Sequence, residues 1–222
     1  MIWPRAILFD LDGTLIDSAP DLQASLNLIL SGKGLGPLGL EPVRAMIGNG
    51  IRKLVERGFA ACGRTLDPDE LDTHETAMIA AYEKNLTVKT FVYPGVADAL
   101  AFARVRTIKC AVVTNKPIAA THAILAHFGI SGAFETVIGG DEGIPRKPEP
   151  DPLWVALDRL GVRREDAVMV GDSAADVVAA RAAGVRVIVV AGGYCRTPVE
   201  QLGADHTIAS LSNLGDVLQQ WH

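Results

Sequence analysis

The sequence predicts an α/β protein: a mostly parallel sheet with helices on both faces, interrupted after its first strand by an all-helical insertion. Three observations carry this expectation. Short apolar runs recur along the chain, and each ends in a polar or glycine-rich turn. Stripes of apolar residues at helical spacing lie between the later runs. Residues 17–91 hold helical stripes but no convincing strand. Strands alternating with helices are the pattern of βαβ units. A sheet built that way opens its binding crevice at the carboxyl ends of its strands.

The first run, residues 6–9, leads directly into Asp10-Leu-Asp12-Gly13-Thr14. An unbroken apolar run suits a strand buried on both faces. The insertion follows. Leu22, Leu26 and Ile29 form a helical stripe behind Ser18 and Pro20, with Asp21 placed close to where a capping box has its acid. Ile51, Leu54, Val55 and Phe59 form a second stripe. Leu71, Met78 and Tyr82 form a third, which starts after Asp67-Pro68. Residues 32–39 are a glycine-rich link. Asp17-Ser18 and Tyr93-Pro94-Gly95 supply hinge chemistry at the two ends. The expected division is therefore a core of residues 1–16 and 92–222 and a helical unit of residues 17–91.

Beyond the insertion, residues 108–113 are a second strand, ending in Thr114-Asn115. Ile118, Thr121, Leu125 and Phe128 define a helix stopped by Gly129. Residues 136–138 are a weaker strand. Leu153, Leu157 and Leu160 define a helix between Asp151-Pro152 and Gly161. Residues 167–170 are a strand ending in Gly171-Asp172, followed by a helix over 174–183 stopped by Gly184. Residues 185–190 and, more weakly, 205–208 complete the sheet.

Composition bounds the function. Of 222 residues, 49% are hydrophobic, enough for a sizeable core. Lys and Arg number 21 and Asp and Glu 26, a net charge of −5, and aromatics are 5%. That balance argues against binding nucleic acid, by phosphate contacts or by stacking. The run at 6–9 is too short for a signal-peptide core or a membrane span. Cys62, Cys110 and Cys195 are widely separated, with no CxxC spacing. No zinc ribbon or disulfide framework is expected, and a reducing, cytoplasmic location is.

The chemistry-bearing residues fall at the strand ends. Asp10 and Asp12 repel each other there. A like-charge pair at ~4 Å and an effective dielectric of ~20 costs about 4 kcal/mol, so the pair needs a counter-charge. A calcium loop is excluded, since Leu15 stands where such a loop needs glycine and a strand precedes it. Asp172 and Asp176 are four apart at the next acidic strand end, and either they join the first pair or Asp172 and Ser173 simply cap a helix. Four carboxylates at neighbouring strand ends call for a divalent cation, and all-oxygen ligands favour magnesium. Lys147 lies in the stiff segment Lys147-Pro148-Glu149-Pro150, which either aims it at anionic groups or leaves it an exposed loop lysine. Thr114 and Asn115 offer a hydroxyl and backbone N–H groups to phosphate oxygens. Gly48-Asn49-Gly50 is either an anion cradle or a turn between helices. Arg52 and Lys53 either reach the site or are solvated. His74, His122, His127 and His206 have no partners at ligand spacing, and Trp3, Trp154 and Trp221 read as packing residues.

Taken together, DxDGT at 10–14, TN at 114–115, KPxP at 147–150 and GDxxxD at 171–176 resemble the haloacid dehalogenase superfamily, in that family's order and over essentially the whole chain. The resemblance implies a Rossmann-like core with a mobile helical cap. It implies Asp10 as nucleophile, Asp12 as general acid/base, and Thr114 and Lys147 as phosphate holders. It implies Mg2+ bound by Asp10, the backbone carbonyl of Asp12 and Asp172, with Asp176 behind them. Asp12 separates the chain from the dehalogenase and phosphonate-cleaving branches, which lack an acid there. Residues 10–22, 47–50, 54–57, 114–117 and 139–141 are similar to the phosphoglycolate phosphatase subgroup, which implies 2-phosphoglycolate as substrate; its carboxylate wants cations or N–H donors, and Gly48, Asn49, Gly50, Arg52 and Lys53 are the stretch expected to offer them. A sugar phosphomutase, or a sugar-phosphate or pyrophosphate phosphatase, is the alternative. The expected partner is a small phosphorylated metabolite, with neither nucleic acid nor membrane, for a monomer or homodimer.

Overall fold

A computed structural model of the chain describes residues 4–195 and 197–220. It begins with β1 (Ala6–Phe9), followed by a two-residue strand, β2 (Ile16–Asp17). Four helices come next: α1 (Ala19–Ser31), α2 (Leu40–Arg44), α3 (Ile51–Ala61) and α4 (Pro68–Glu83). The chain returns through β3 (Phe91–Val92), antiparallel to β2. Then come α5 (Val96–Val105), β4 (Lys109–Val113), α6 (Ile118–His127), β5 (Thr136–Ile138), α7 (Asp151–Leu160) and β6 (Ala167–Gly171). The remainder is α8 (Ala174–Ala183), β7 (Arg186–Val190), β8 (His206–Ile208) and α9 (Leu214–Gln219).

Six strands form one parallel sheet in the order β5-β4-β1-β6-β7-β8. Alternation along the strands gives it two apolar faces. Ile7, Phe9, Val112, Val168 and Val170 face α5, α6 and α9. Ala6, Leu8, Ala111, Val113 and Met169 face α7 and α8. Because both faces are covered, the strands read as continuous apolar runs rather than alternating ones. Strand register places the polar residues beyond them. Phe9 is level with Val112 of β4 and with Val170 of β6. Asp10, Thr114 and Asp172 therefore leave the sheet side by side at its carboxyl edge.

Helices α1–α4 pack on one another through Leu22, Leu26, Leu30, Val55, Phe59, Met78 and Tyr82, an apolar cluster separate from the two faces of the sheet. The β2–β3 ribbon brings the entry and exit of this unit together. Asp67 caps α4 and Glu70 completes the capping box. Elsewhere the local reading is corrected. Asp21 does not form a capping box, and the Ser18 hydroxyl does not cap α1 but donates to Asp12. The buried Asp21 carboxylate instead accepts from the Lys89 and Thr90 amides and the Thr90 hydroxyl, tying α1 to the returning segment. Five elements, β2, β3, α2, α5 and α9, have no counterpart in the sequence patterning. The first three are too short to show a period, and α5 buries only Val96, Ala99 and Ala103, a stripe of small residues. Trp3 and Trp221 lie outside the described residues. Trp154 is half exposed, with its indole N–H donating to the Ala183 carbonyl. No helix among the described residues is long and apolar enough to cross a membrane.

Removing the Asp21 carboxylate leaves buried amides without an acceptor. Asp21→Ala is expected to cost about 3 kcal/mol of unfolding free energy, measured by urea titration. A loss below ~0.5 kcal/mol would show that water replaces the carboxylate at no cost.

Candidate active site

Asp10 emerges from β1, Asp172 follows β6, and Asp176 lies in the first turn of α8. One oxygen from each comes within 4.8 Å of the others. All three are buried. Burial pushes the Asp10 carboxyl up to about 7, the neighbouring Asp176 and Asp12 adding to the effect and Lys147 opposing it. Burial also raises Asp172 well above the usual carboxylate range, with Asp10 and Asp176 as further causes. Three buried carboxylates cannot all stay ionised without added positive charge. An all-oxygen donor set under that strain fits a hard divalent cation.

Lys147 supplies part of the charge. Its buried ammonium donates at 2.7 Å to Asp10, to Asp176 and to the Val113 carbonyl, using its three donors. Burial alone would lower its pKa, but Asp10 and Asp176 outweigh burial and hold it above the ordinary lysine value. The alternative of an exposed loop lysine is thus overturned. Asp176 has a second task, because its other oxygen accepts from the Ser173 amide and hydroxyl at 3.0 and 2.7 Å. Capping and carboxylate clustering therefore coexist at the start of α8.

Asp172 is held by the Tyr194 amide at 2.6 Å and the Thr14 hydroxyl at 3.2 Å. Its neighbours had to be glycines. A Cβ on Gly193 would lie 2.3 Å from the Asp172 carboxylate, and one on Gly13, whose φ is +90°, 2.4 Å from it.

Asp12 stands apart from the three clustered carboxylates. Its side chain accepts from the Lys116 ammonium at 2.9 and 3.0 Å and from the Ser18 hydroxyl at 2.5 Å. Asp10, Asp12, Thr114, Asn115 and Lys116 line a small cavity of about 40 Å³ whose opposite wall comes from the helical unit. The Asn115 amide donates to the Gly48 carbonyl of that unit at 3.0 Å and to the Lys147 carbonyl at 2.8 Å, while its buried Oδ1 has no partner. Gly48 and Gly50 border the cavity. Asn49 instead accepts from Arg57 and faces an adjoining cleft of about 540 Å³ that also touches Asp172.

Arg52 and Lys53 do not come to this cavity. The phase of α3 buries Ile51, Leu54 and Val55, so positions 52 and 53 point outward. Arg52 pairs with Asp72 and Glu75, and Lys53 with Glu56. Three residues at the site escape the sequence reading: Lys116, Tyr194 and, as a site residue, Tyr82. Lys116 has a sequence signal, since it directly follows the Thr114-Asn115 strand end.

Gly193→Ala should displace the Asp172 carboxylate and weaken divalent-cation binding at least ~10-fold by calorimetric titration. An unchanged affinity would remove Asp172 from the ligand set.

Comparison with known proteins identifies the family. Residues 7–190 match the family model described as haloacid dehalogenase-like hydrolase. The chain is 42% identical over 219 residues to a phosphoglycolate phosphatase of Rhodospirillum rubrum, covering 97% of this chain and 91% of that one. It is 41% identical over 204 residues to a phosphoglycolate phosphatase of Caulobacter vibrioides, covering 92% and 86%. A crystal structure of a predicted phosphoglycolate phosphatase from Haemophilus somnus superimposes with a TM-score of 0.90 at 31% identity, covering 96% of this chain and 97% of that one.

Proposed function

The chain belongs to the haloacid dehalogenase-like hydrolases, and on that premise we propose that it is a magnesium-dependent phosphatase of small phosphate monoesters, with 2-phosphoglycolate as substrate. The observation that carries the reading is the pairing of Asp10, bound to Lys147 beside two further carboxylates, with Asp12 facing the same cavity. The named relatives supply the substrate.

Residues 17–91 act as the cap over the core of residues 1–16 and 92–222. Asp10, Asp172 and the Asp12 carbonyl would hold Mg2+, with Asp176 behind them, and the ion would supply positive charge against the dianionic phosphate. Lys147 adds a second positive charge and fixes the Asp10 carboxylate. Thr114 and the Asn115 segment receive phosphate oxygens. Asp10 attacks phosphorus, the bond to the ester oxygen breaks, and an aspartyl-phosphate forms. Asp12 gives its proton to the departing alkoxide, then takes one from the water that attacks the aspartyl-phosphate, releasing phosphate and restoring Asp10. The Asp12 position serves both halves because its carboxylate faces the cavity rather than the three-carboxylate group.

Asp10→Asn keeps the shape but removes the nucleophile, and phosphate release should fall by ~10⁴-fold or more with the fold intact. Activity within ~10-fold of the parent, in protein free of contaminating phosphatase, would overturn the assignment. Chelation should abolish turnover, Mg2+ should restore it, and Ca2+ should restore it poorly because its looser coordination spoils in-line geometry. Full turnover in metal-free buffer would contradict the cation's role.

A further inference from the structure

Lys116 is as buried as the surrounding core, 5% exposed, yet it carries a charge. Its ammonium donates to both Asp12 oxygens and, at 2.7 Å, to the Tyr82 hydroxyl, and it lies 4.6 Å from the centre of that ring. An ammonium so deep in a protein is retained only with full compensation. Burial pulls its pKa down, but Asp12 and Tyr82 together outweigh burial and hold Lys116 above the ordinary lysine value.

The position of this cation is more telling than its partners. Among the described residues lining the cavity above Asp10 and Asp12, Lys116 is the sole cation. The facing wall is apolar, formed by Leu22, Ile47, Ile51 and Leu54 of the helical unit, with Tyr82 as its polar exception. A cavity of about 40 Å³ has room for only about three waters, and its facing apolar wall gives a polyhydroxyl leaving group few partners there, so a bulkier group has to extend into the adjoining cleft of about 540 Å³ that Asp12 also lines. A short anionic group meets one buried ammonium and one hydroxyl.

We propose that Lys116, with the Tyr82 hydroxyl, is the specificity-determining receptor for an anionic group on the leaving alcohol, a carboxylate one carbon beyond the ester oxygen. The proposal rests on the phosphatase reading and names the part of the site that selects the substrate. Asp12 must face the ester oxygen to protonate it. The Lys116 ammonium is 2.9 Å from Asp12, so a carboxylate adjacent to the carbinol carbon comes within reach of the same ammonium. On substrate entry Lys116 exchanges part of its contact with Asp12 for the substrate carboxylate. Tyr82 belongs to α4 and Lys116 to the core, so the receptor exists only while the helical unit and the core are in contact. Arg52, half-buried, and Lys53, exposed, the other cations near this wall in sequence, are engaged in ion pairs of their own.

The test compares 2-phosphoglycolate with ethyl phosphate, which has the same carbon count and no carboxylate. The readout is the ratio of the two kcat/KM values, because any effect of a variant on Asp12 itself acts on both esters and cancels. The parent enzyme should favour phosphoglycolate. Lys116→Met should collapse that preference by ~30-fold or more, mainly through KM, and Tyr82→Phe by ~3-fold to ~10-fold. Lys116→Arg should recover part of the preference. If Lys116→Met is inactive with both esters, calorimetric binding of each to Asp10→Asn and to Asp10→Asn/Lys116→Met protein, with Mg2+ present, gives the same ratio. A ratio within threefold of the parent value in either assay overturns the proposal, since Lys116 then serves only to hold Asp12. A parent enzyme that hydrolyses ethyl phosphate as well as phosphoglycolate overturns it too and leaves the phosphatase standing. A parent that hydrolyses neither overturns the phosphatase reading and this proposal together.

Discussion

Four carboxylates and two ammonium groups meet where β1, β4 and β6 end, and the rest of the site is arranged around keeping that charge in balance. Asp10, Asp172 and Asp176 share Lys147, while Asp12 has Lys116. Burial first, and the surplus of negative over positive charge second, make Asp10 and Asp172 hold protons more tightly than carboxylates ordinarily do. One carboxylate against one ammonium leaves the second group balanced. In the proposed mechanism the imbalance is where a divalent cation would sit, and the balance is where Asp12 would act as acid/base without competing for it.

This division depends on backbone geometry more than on side-chain choice. Parallel register brings three strand ends level, and glycines at 13 and 193 let backbone pass where any side chain would strike Asp172. Lys147 reaches in from a loop that precedes α7, and Asp176 from the first turn of α8. The helical unit then closes the opening with apolar side chains. The Asn115 amide bridges that unit to the core, donating both to Gly48 and to Lys147's carbonyl.

Much of this is readable in the sequence because strand ends are readable. An apolar run followed at once by acids, by Thr-Asn or by Gly-Asp locates Asp10, Asp12, Thr114 and Asp172 without any knowledge of packing. Lys116 is harder. Its role comes from a contact with Asp12 across 104 residues of chain, and nothing local marks it as buried. Arg52 and Lys53 show the opposite error. Their charge invites a role beside an anion, but the stripe of Ile51, Leu54 and Val55 already assigns them to the outer side of α3. Tyr82 reads as core because it is core, and only the third dimension shows its hydroxyl meeting an ammonium. Asp21 illustrates why local motifs mislead. Its spacing from Ser18 suits a cap, yet its carboxylate bonds to residues 68 and 69 positions away.

The central claim is that Asp10 takes the phosphoryl group. Enzyme caught in turnover by rapid acid quench, reduced with borohydride to convert an aspartyl-phosphate to homoserine, and mapped by peptide mass spectrometry tests it directly. The account predicts conversion at position 10, dependent on both substrate and Mg2+. Conversion at Asp12 or Asp172 instead, or none at position 10 while phosphate is being released, would contradict it.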